Sequence, residues 1–177
     1  MRALAALTLA AAWALVSAAS AHASDGAWER AWGKDVLNGG GTGFEVCTVA
    51  ASCREGIANG LGGEIDSPSR IAADAAGNVY VADRDNDRVQ KFDSQGNWER
   101  AWGKDVVSVG GTTGFELCAN AAVGQPGATG GLGGEMNDPV GVAVDGVGDV
   151  YVVDSTTTGS SSSTRSATSI VPGARTW

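Results

Sequence analysis

The sequence predicts an all-β fold built from short antiparallel strands, and two observations carry this prediction. The first is an internal repeat, because residues 28–36 recur as 98–106 and residues 77–83 return with small changes as 148–154. Recurrence at a fixed spacing indicates a repeated supersecondary unit. The second is composition, since 27 glycines and few helix formers beyond the N-terminus favour turns and strands over helices.

Residues 67–104 are expected to form one complete four-stranded unit, of which other segments are partial copies. The predicted strands cover 70–73, 78–83, 88–93 and 98–102, and turns rich in Asp, Asn and Gly separate them. The second strand alternates, with Val79 and Val81 on one face and Tyr80 and Ala82 on the other. Closely spaced strands with such turns are typical of an antiparallel meander, the structure of one propeller blade.

The same residues resemble an NHL repeat. The motifs that carry the resemblance, in order, are Pro68-x-x-Ile71-Ala72, Asp74-x-x-Gly77-Asn78-Val79-Tyr80-Val81-Ala82-Asp83, Asn86-x-Arg88-Val89-Gln90-Lys91-Phe92 and Gly96-Asn97-Trp98. Residues 138–145 resemble the opening of a second copy, and residues 25–34 resemble the closing strand of a preceding blade. The resemblance implies a six-bladed β-propeller for a complete chain, of which this chain holds about two blades. We therefore expect an incomplete propeller.

The predicted organisation has three parts, an N-terminal signal peptide, a partial propeller and a low-complexity tail. Their ranges are 1–23, 24–154 and 155–177. The partial propeller divides into a closing strand with a Gly-rich loop (24–66), the complete blade (67–104), a second Gly-rich loop (105–137) and the start of the next blade (138–154).

The N-terminus has the features of a signal peptide, including a signal helix. Arg2 supplies a positive start, residues 3–19 are an apolar run, and Ala21-His22-Ala23 fits the small-x-small cleavage rule. Cleavage after Ala21 is an alternative, and the run is short for an uncleaved membrane anchor. We predict cleavage after Ala23 and a secreted or extracytoplasmic protein without a stable membrane span.

Export bears on the three cysteines. In an oxidising compartment, the closeness of Cys47 and Cys53 within a Gly-rich loop favours a local disulfide. Cys118 has the place in the second copy that Cys47 has in the first, but Gly124 stands where its partner would be. We therefore predict a Cys47–Cys53 bridge and an unpaired Cys118.

Composition also excludes several functions. His22 is the one histidine of the chain, so cleavage after Ala23 removes Ser-His-Asp and Cys-His catalysis and histidine-ligated metals. The charge of −8, from 12 Lys+Arg against 20 Asp+Glu, argues against nucleic acid as a partner. We predict no catalytic residues, no metal site and no cofactor.

Asp83, Asp85 and Asp87 form a D-x-D-x-D run that suggests calcium. An EF-hand loop also needs Gly at its sixth position and Glu at its twelfth, where this chain has Arg88 and Ser94. We predict instead a blade turn in which Asp and Asn cap backbone amides and Arg88 bridges to a neighbouring segment.

Aromatic and glycine-rich motifs leave two further alternatives. Four tryptophans are either a sugar-stacking array or blade packing, and strand spacing favours packing: Trp28, Trp32, Trp98 and Trp102. The charged residues beside them are expected to form exposed pairs of little energetic value: Glu29, Arg30, Glu99 and Arg100. The glycine runs at 39–43 and 110–111 lack the Gly-Lys-Ser/Thr ending of a phosphate loop. We predict flexible surface loops that carry any binding specificity.

The tail 155–177 departs from the repeat after Asp154 and is rich in Ser and Thr. One interpretation is a disordered linker. The other is a frameshift near Thr156-Thr157, because reading the codons one base out of phase restores, with suitable synonymous choices, a near copy of residues 87–106. We favour the frameshift and assign the tail neither structure nor function.

For function, we expect an exported, non-enzymatic scaffold whose loops bind a protein, peptide or glycan. One alternative is a fragment of a metal-dependent propeller enzyme, lactonase- or lyase-like, and another is a non-functional truncated product. Propellers protect their strand edges by closing the ring, which two blades do not achieve. We therefore expect the chain as written to aggregate, stay partly unfolded or oligomerise.

Overall fold

The computed structural model describes residues 28–41, 43–156 and 164–169, which form ten short strands and three 3₁₀ turns. All strand pairings are antiparallel, and the strands belong to three sheets. The described residues are therefore all-β, as predicted, and fit an incomplete propeller. The predicted signal peptide, with its helix, lies outside the described residues.

The complete blade is a meander of consecutive strands: β3 (Pro68–Ala73), β4 (Val79–Asp83), β5 (Arg88–Phe92), β6 (Trp98–Lys104) and β7 (Phe115–Cys118). The first four agree with the predicted strands apart from small shifts at their ends. The fifth, β7, falls in the segment 105–137 that was predicted as loop, and it pairs with β6 along its outer edge. The four-stranded prediction is thus corrected to five strands.

Aspartates shape the turns between these strands. The Asp93 carboxylate accepts hydrogen bonds from the amides of Gln95 and Asn97, each at 2.8 Å, and from the Asn97 side chain. These bonds, that of the Asn97 side chain first, hold the pKa of Asp93 below its usual range. Asp74 makes the same set of bonds in the turn between β3 and β4. Gly96 completes its turn at φ 84°, a backbone conformation that favours glycine.

Two partial sheets flank the complete blade in the chain. The first contains β1 (Ala31–Lys34) and β2 (Phe44–Cys47), and the second contains β8 (Gly141–Val144), β9 (Val150–Thr156) and β10 (Thr164–Ser169) in the order β8–β9–β10. β2 lies in the part of 24–66 that was predicted as loop, so that part contains a strand, as the segment 105–137 does with β7. β10 lies in the tail, to which the sequence had assigned no structure.

The partial sheets reproduce the pairing of the complete blade. Trp32 lies opposite Val46 as Trp102 lies opposite Leu117. In the other sheet, the register of β8 on β9 matches that of β3 on β4. The sheets are therefore pieces of one repeated unit.

The largest apolar cluster lies between β4, β5 and β6 of the complete blade and β9 of the next sheet. It consists of Tyr80, Val89, Trp102, Met136, Val150 and Val152, all at most 5% exposed. Each large side chain buried here contributes about 2 kcal/mol. Tyr80, Val81 and Ala82 are all buried, so both faces of β4 are covered rather than one. Among the described residues, no helix has the length and apolar character needed to cross a membrane.

Candidate functional site: the buried aspartate network and the leucine turns

A buried ion pair forms the centre of the complete blade. Asp83 ends β4 and Arg88 begins β5, and the 3₁₀ turn Arg84–Asn86 followed by Asp87 at φ 45° brings them together. Arg88 Nε donates to Asp83 Oδ2 at 2.8 Å, and both side chains are fully buried. A charged pair is stable without water only when its other donors and acceptors are satisfied.

The guanidinium of Arg88 meets this requirement with backbone carbonyls from two loops. Nη1 donates to the carbonyls of Gly60 at 2.6 Å and Gln125 at 2.8 Å. Nη2 donates to the carbonyls of Leu61 at 2.9 Å and Glu64 at 2.8 Å. Arg88 therefore ties the loops before and after the blade to its sheet, which is the bridging role that the sequence predicted.

Asp83 is satisfied in the same way. Its carboxylate accepts from the amide of Asp66 at 2.7 Å, from Asn86 Nδ2 and from Gln90 Nε2 at 2.8 Å. Burial raises the pKa of Asp83, whereas the charge of Arg88 and these donors oppose that rise. The network therefore links Asp66, which precedes β3, to Asp83 at the end of β4 and to Gln90 in β5.

This geometry separates the three carboxylates of the D-x-D-x-D run. Asp83 is buried, Asp85 lies on the surface against Arg84 at 2.8 Å, and Asp87 accepts the amide of Asp138 at 2.8 Å. Within the described ranges, no group of three or more His, Cys, Asp or Glu is placed to hold a metal ion. The run forms a blade turn.

The repeated Leu-Gly-Gly-Glu motif forms two similar turns, which we call the leucine turns (61–64 and 132–135). In the first, the buried Glu64 accepts the amide of Leu61 at 2.9 Å and pairs with Lys34 Nζ at 3.1 Å. The hydrogen bond with Glu64 raises the pKa of Lys34. Leu61 itself is half exposed.

The second leucine turn repeats the arrangement. Glu135 accepts the amides of Gly131 and Leu132, each at 3.1 Å, and lies 3.7 Å from Lys104 Nζ. Leu132 is 75% exposed. Gly134 is at φ 83° and a Cβ there would lie 2.5 Å from the Phe115 ring, so the turn needs glycine at this position. Each turn therefore holds a leucine in solvent on a fixed backbone.

Carboxylates also restrain the segments around the glycine runs. Glu45 accepts the amide of Leu37 at 2.8 Å, and Asp35 accepts the amide of Gly43 at 2.7 Å. Glu116 accepts the amides of Val107 and Thr112 in the second copy. Gly39, Gly40 and Gly41 of the first run and Gly110 and Gly111 of the second are exposed, and the strands β2 and β7 shorten the predicted loops around them.

A disulfide joins Cys47, at the end of β2, to Cys53, the pair that the spacing favoured. Cys118 is a buried free thiol. Position 53 makes a β-bridge with Leu37, and Gly124 makes the corresponding bridge with Val107. Gly124 thus stands where the sequence placed it, at the partner position of Cys118.

Three of the four repeated tryptophans pack inside the fold. Trp102 stacks on Tyr80 with ring centroids 6.1 Å apart, and Trp32 lies 6.1 Å from Phe92. Trp98 donates from Nε1 to the buried Gln90 at 2.7 Å. Trp28 differs from the packing prediction, since it is 47% exposed.

The charged residues near these tryptophans do not all pair as expected. Glu29 and Arg30 lie 3.8 Å apart, but Arg30 makes its shorter bonds to Gln95. Glu99 pairs with Lys91 across the strands at 2.7 Å rather than with its chain neighbour. Glu29 and Arg30 thus lie near each other as expected, whereas Glu99 pairs with Lys91 instead of Arg100.

Comparison with known proteins identifies the segment that contains the buried network. Residues 66–92 match the family model of the NHL repeat. The match begins at Asp66, whose amide Asp83 accepts, and ends with β5. The chain therefore contains an NHL repeat, and that repeat forms the first three strands of the complete blade. No curated protein matches the chain.

Proposed function

We propose that the chain is an exported, non-enzymatic scaffold that binds a protein or peptide through its two leucine turns. The observation that carries this proposal is the exposure of Leu61 and Leu132 on backbones fixed by the buried Glu64 and Glu135. Contiguous exposed apolar patches mark interaction surfaces, and the two exposed leucines are the groups on which such a surface would be built. Side chains that are held before binding lose less entropy when a partner docks.

The chemistry of the turns favours a polypeptide over a glycan. Sugars are held by stacking on exposed aromatic rings, and the exposed groups of the turns, Leu61 and Leu132, carry no ring. Each exposed leucine suits an apolar anchor of a protein or peptide. The Cys47–Cys53 disulfide and the signal-like N-terminus support export. The net charge of −8 disfavours nucleic acid.

A displayed library of random peptides tests this proposal, with the full chain as the bait. Selected peptides are then measured against Leu61→Ser and Leu132→Ser. Val147→Ser is the matched control, because Val147 is 84% exposed in the turn between β8 and β9, outside the leucine turns.

The proposal predicts that both leucine variants lose binding while the control retains it. A library that yields no binder, or binders that tolerate the leucine variants as well as they tolerate the control, contradicts it. Folding of each variant is checked by its circular dichroism spectrum.

A further inference from the structure

The free edge of β1 is the feature that the proposed function does not use. Among the described residues, β1 pairs with β2 on one side only. An open cavity of about 420 Å³ lies beside it, with a lining that includes Trp32, Lys34, Arg54 and Ile57. Unpaired strand edges are templates for pairing with another strand.

The second copy shows what occupies the corresponding place. There β5 pairs with β6, with Arg88 opposite Gly103 and Val89 opposite Trp102. Tyr80 stacks on Trp102 nearly parallel to it. The corresponding tryptophan of the first copy, Trp32, lines the open cavity.

The C-terminal partial sheet contains the strands that the first partial sheet lacks. In β8–β9–β10, β10 pairs with β9 as β5 pairs with β4, so that Ser166 lies opposite Asp154 where Arg88 lies opposite Asp83. The described residues place no strand on the other side of β10. One sheet thus stops after its third strand, and the other consists of the two strands that would follow.

We propose that β10 of one copy pairs with β1 of a second copy. The two partial sheets then form one five-stranded sheet in the order of the complete blade. The register of β5 on β6 sets Ser166 opposite Gly33 of the second copy and Ser169 opposite Arg30. It also brings Tyr151 of β9 against Trp32 of the second copy, as Tyr80 lies against Trp102.

This contact uses different surfaces on the two copies, so it is head-to-tail. Such contacts repeat until they close into a ring or continue as an open chain. The contact uses the strand edge of β1, whereas the proposed peptide binding uses the exposed side chains of Leu61 and Leu132, so the two proposals rest on different groups.

Cysteine cross-linking in the full chain tests the register directly. Arg30→Cys combined with Ser169→Cys places two thiols on directly opposed residues of the proposed pair. Ala31→Cys combined with Ser169→Cys is the matched control, because Ala31 follows Arg30 in the regular part of the register and adjacent residues of a strand point to opposite faces. Covalent dimers are counted on non-reducing gels after mild oxidation, and sedimentation velocity follows the chain without substitutions.

The proposal predicts cross-linked dimers for the Arg30→Cys pair, their loss in the Ala31→Cys pair, and a sedimentation coefficient that rises with concentration. Equal cross-linking of both pairs, cross-linking of neither, or a monomer at every concentration overturns it. A peptide binder that survives such a result leaves the proposed function standing, so the two failures are distinguishable.

Discussion

The same position in the two copies has two different environments. Asp83 ends β4, Asp154 has the corresponding place in β9, and each accepts a backbone amide at 2.7 Å, from Asp66 and Asn137 respectively. Asp83 also has Arg88, whereas no described cation pairs with Asp154. Burial raises the pKa of both carboxyls, and at Asp83 the charge of Arg88 opposes that rise. Arg88 therefore compensates the buried charge of Asp83, whereas Asp154 is buried without a described counter-ion.

The cysteine positions differ for a steric reason. A Cβ at Gly124 would lie 3.0 Å from the backbone nitrogen of Gly62, which belongs to the preceding leucine turn. Cys53, in the first copy, forms the disulfide with Cys47. The close approach of the two loops thus favours glycine at 124 and leaves Cys118 without a partner.

The largest expected effect comes from removing one charge of the buried pair. Asp83→Asn leaves the guanidinium of Arg88 buried without a counter-ion and should lower the free energy of unfolding by about 3–5 kcal/mol. Asp154→Asn removes no described ion pair and should stay within about 1 kcal/mol. Urea unfolding followed by tryptophan fluorescence measures both. Equal losses in the two variants would show that the comparison is wrong.

The disulfide should contribute the next largest effect. Closing the short loop between Cys47 and Cys53 is worth about 2 kcal/mol by chain entropy. Reductant should therefore lower the stability of the natural chain by that amount and leave the double variant Cys47→Ser, Cys53→Ser unchanged. If reductant destabilises both proteins alike, its effect arises elsewhere.

A smaller effect is expected at the loop contact. Gly124→Ala should cost about 1 kcal/mol, because the backbone of Gly62 must move to admit the methyl group. Gly133→Ala serves as the control, since no atom lies within 4 Å of a Cβ at that position. An equal response of the two variants in thermal unfolding would argue against steric exclusion at 124.

The smallest effect is a pH dependence. Because burial raises the folded-state pKa of Asp154, its ionisation costs stability, which falls as the pH rises from about 3.8, the unfolded value, through the folded pKa. Asp154→Asn should lack this part of the fall, so the variant gains on the natural chain as the pH rises above about 3.8. Parallel stability curves over that window would refute the assignment.

The sequence predicted the strands of the complete blade because Asp, Asn and Gly mark each turn between them. It also predicted that Arg88 bridges segments, from its place after the Asp-rich turn. It missed β2 and β7, since Phe44–Cys47 and Phe115–Cys118 are four-residue strands next to glycine runs and too short to show a pattern. The carbonyl partners of Arg88 carry no side-chain signal, so tertiary structure was needed to find them.

The central claim is that the complete blade is the stable unit and that the free edge of β1 pairs with a second copy. Hydrogen exchange at a series of protein concentrations tests it most directly. The account predicts that amides of β6 (Trp98–Lys104) are protected at every concentration. It predicts that amides of β1 (Ala31–Lys34) exchange faster in dilute solution and slow as the concentration rises. Protection of β1 equal to that of β6 at the lowest concentration, or exchange of β1 independent of concentration, would contradict the account.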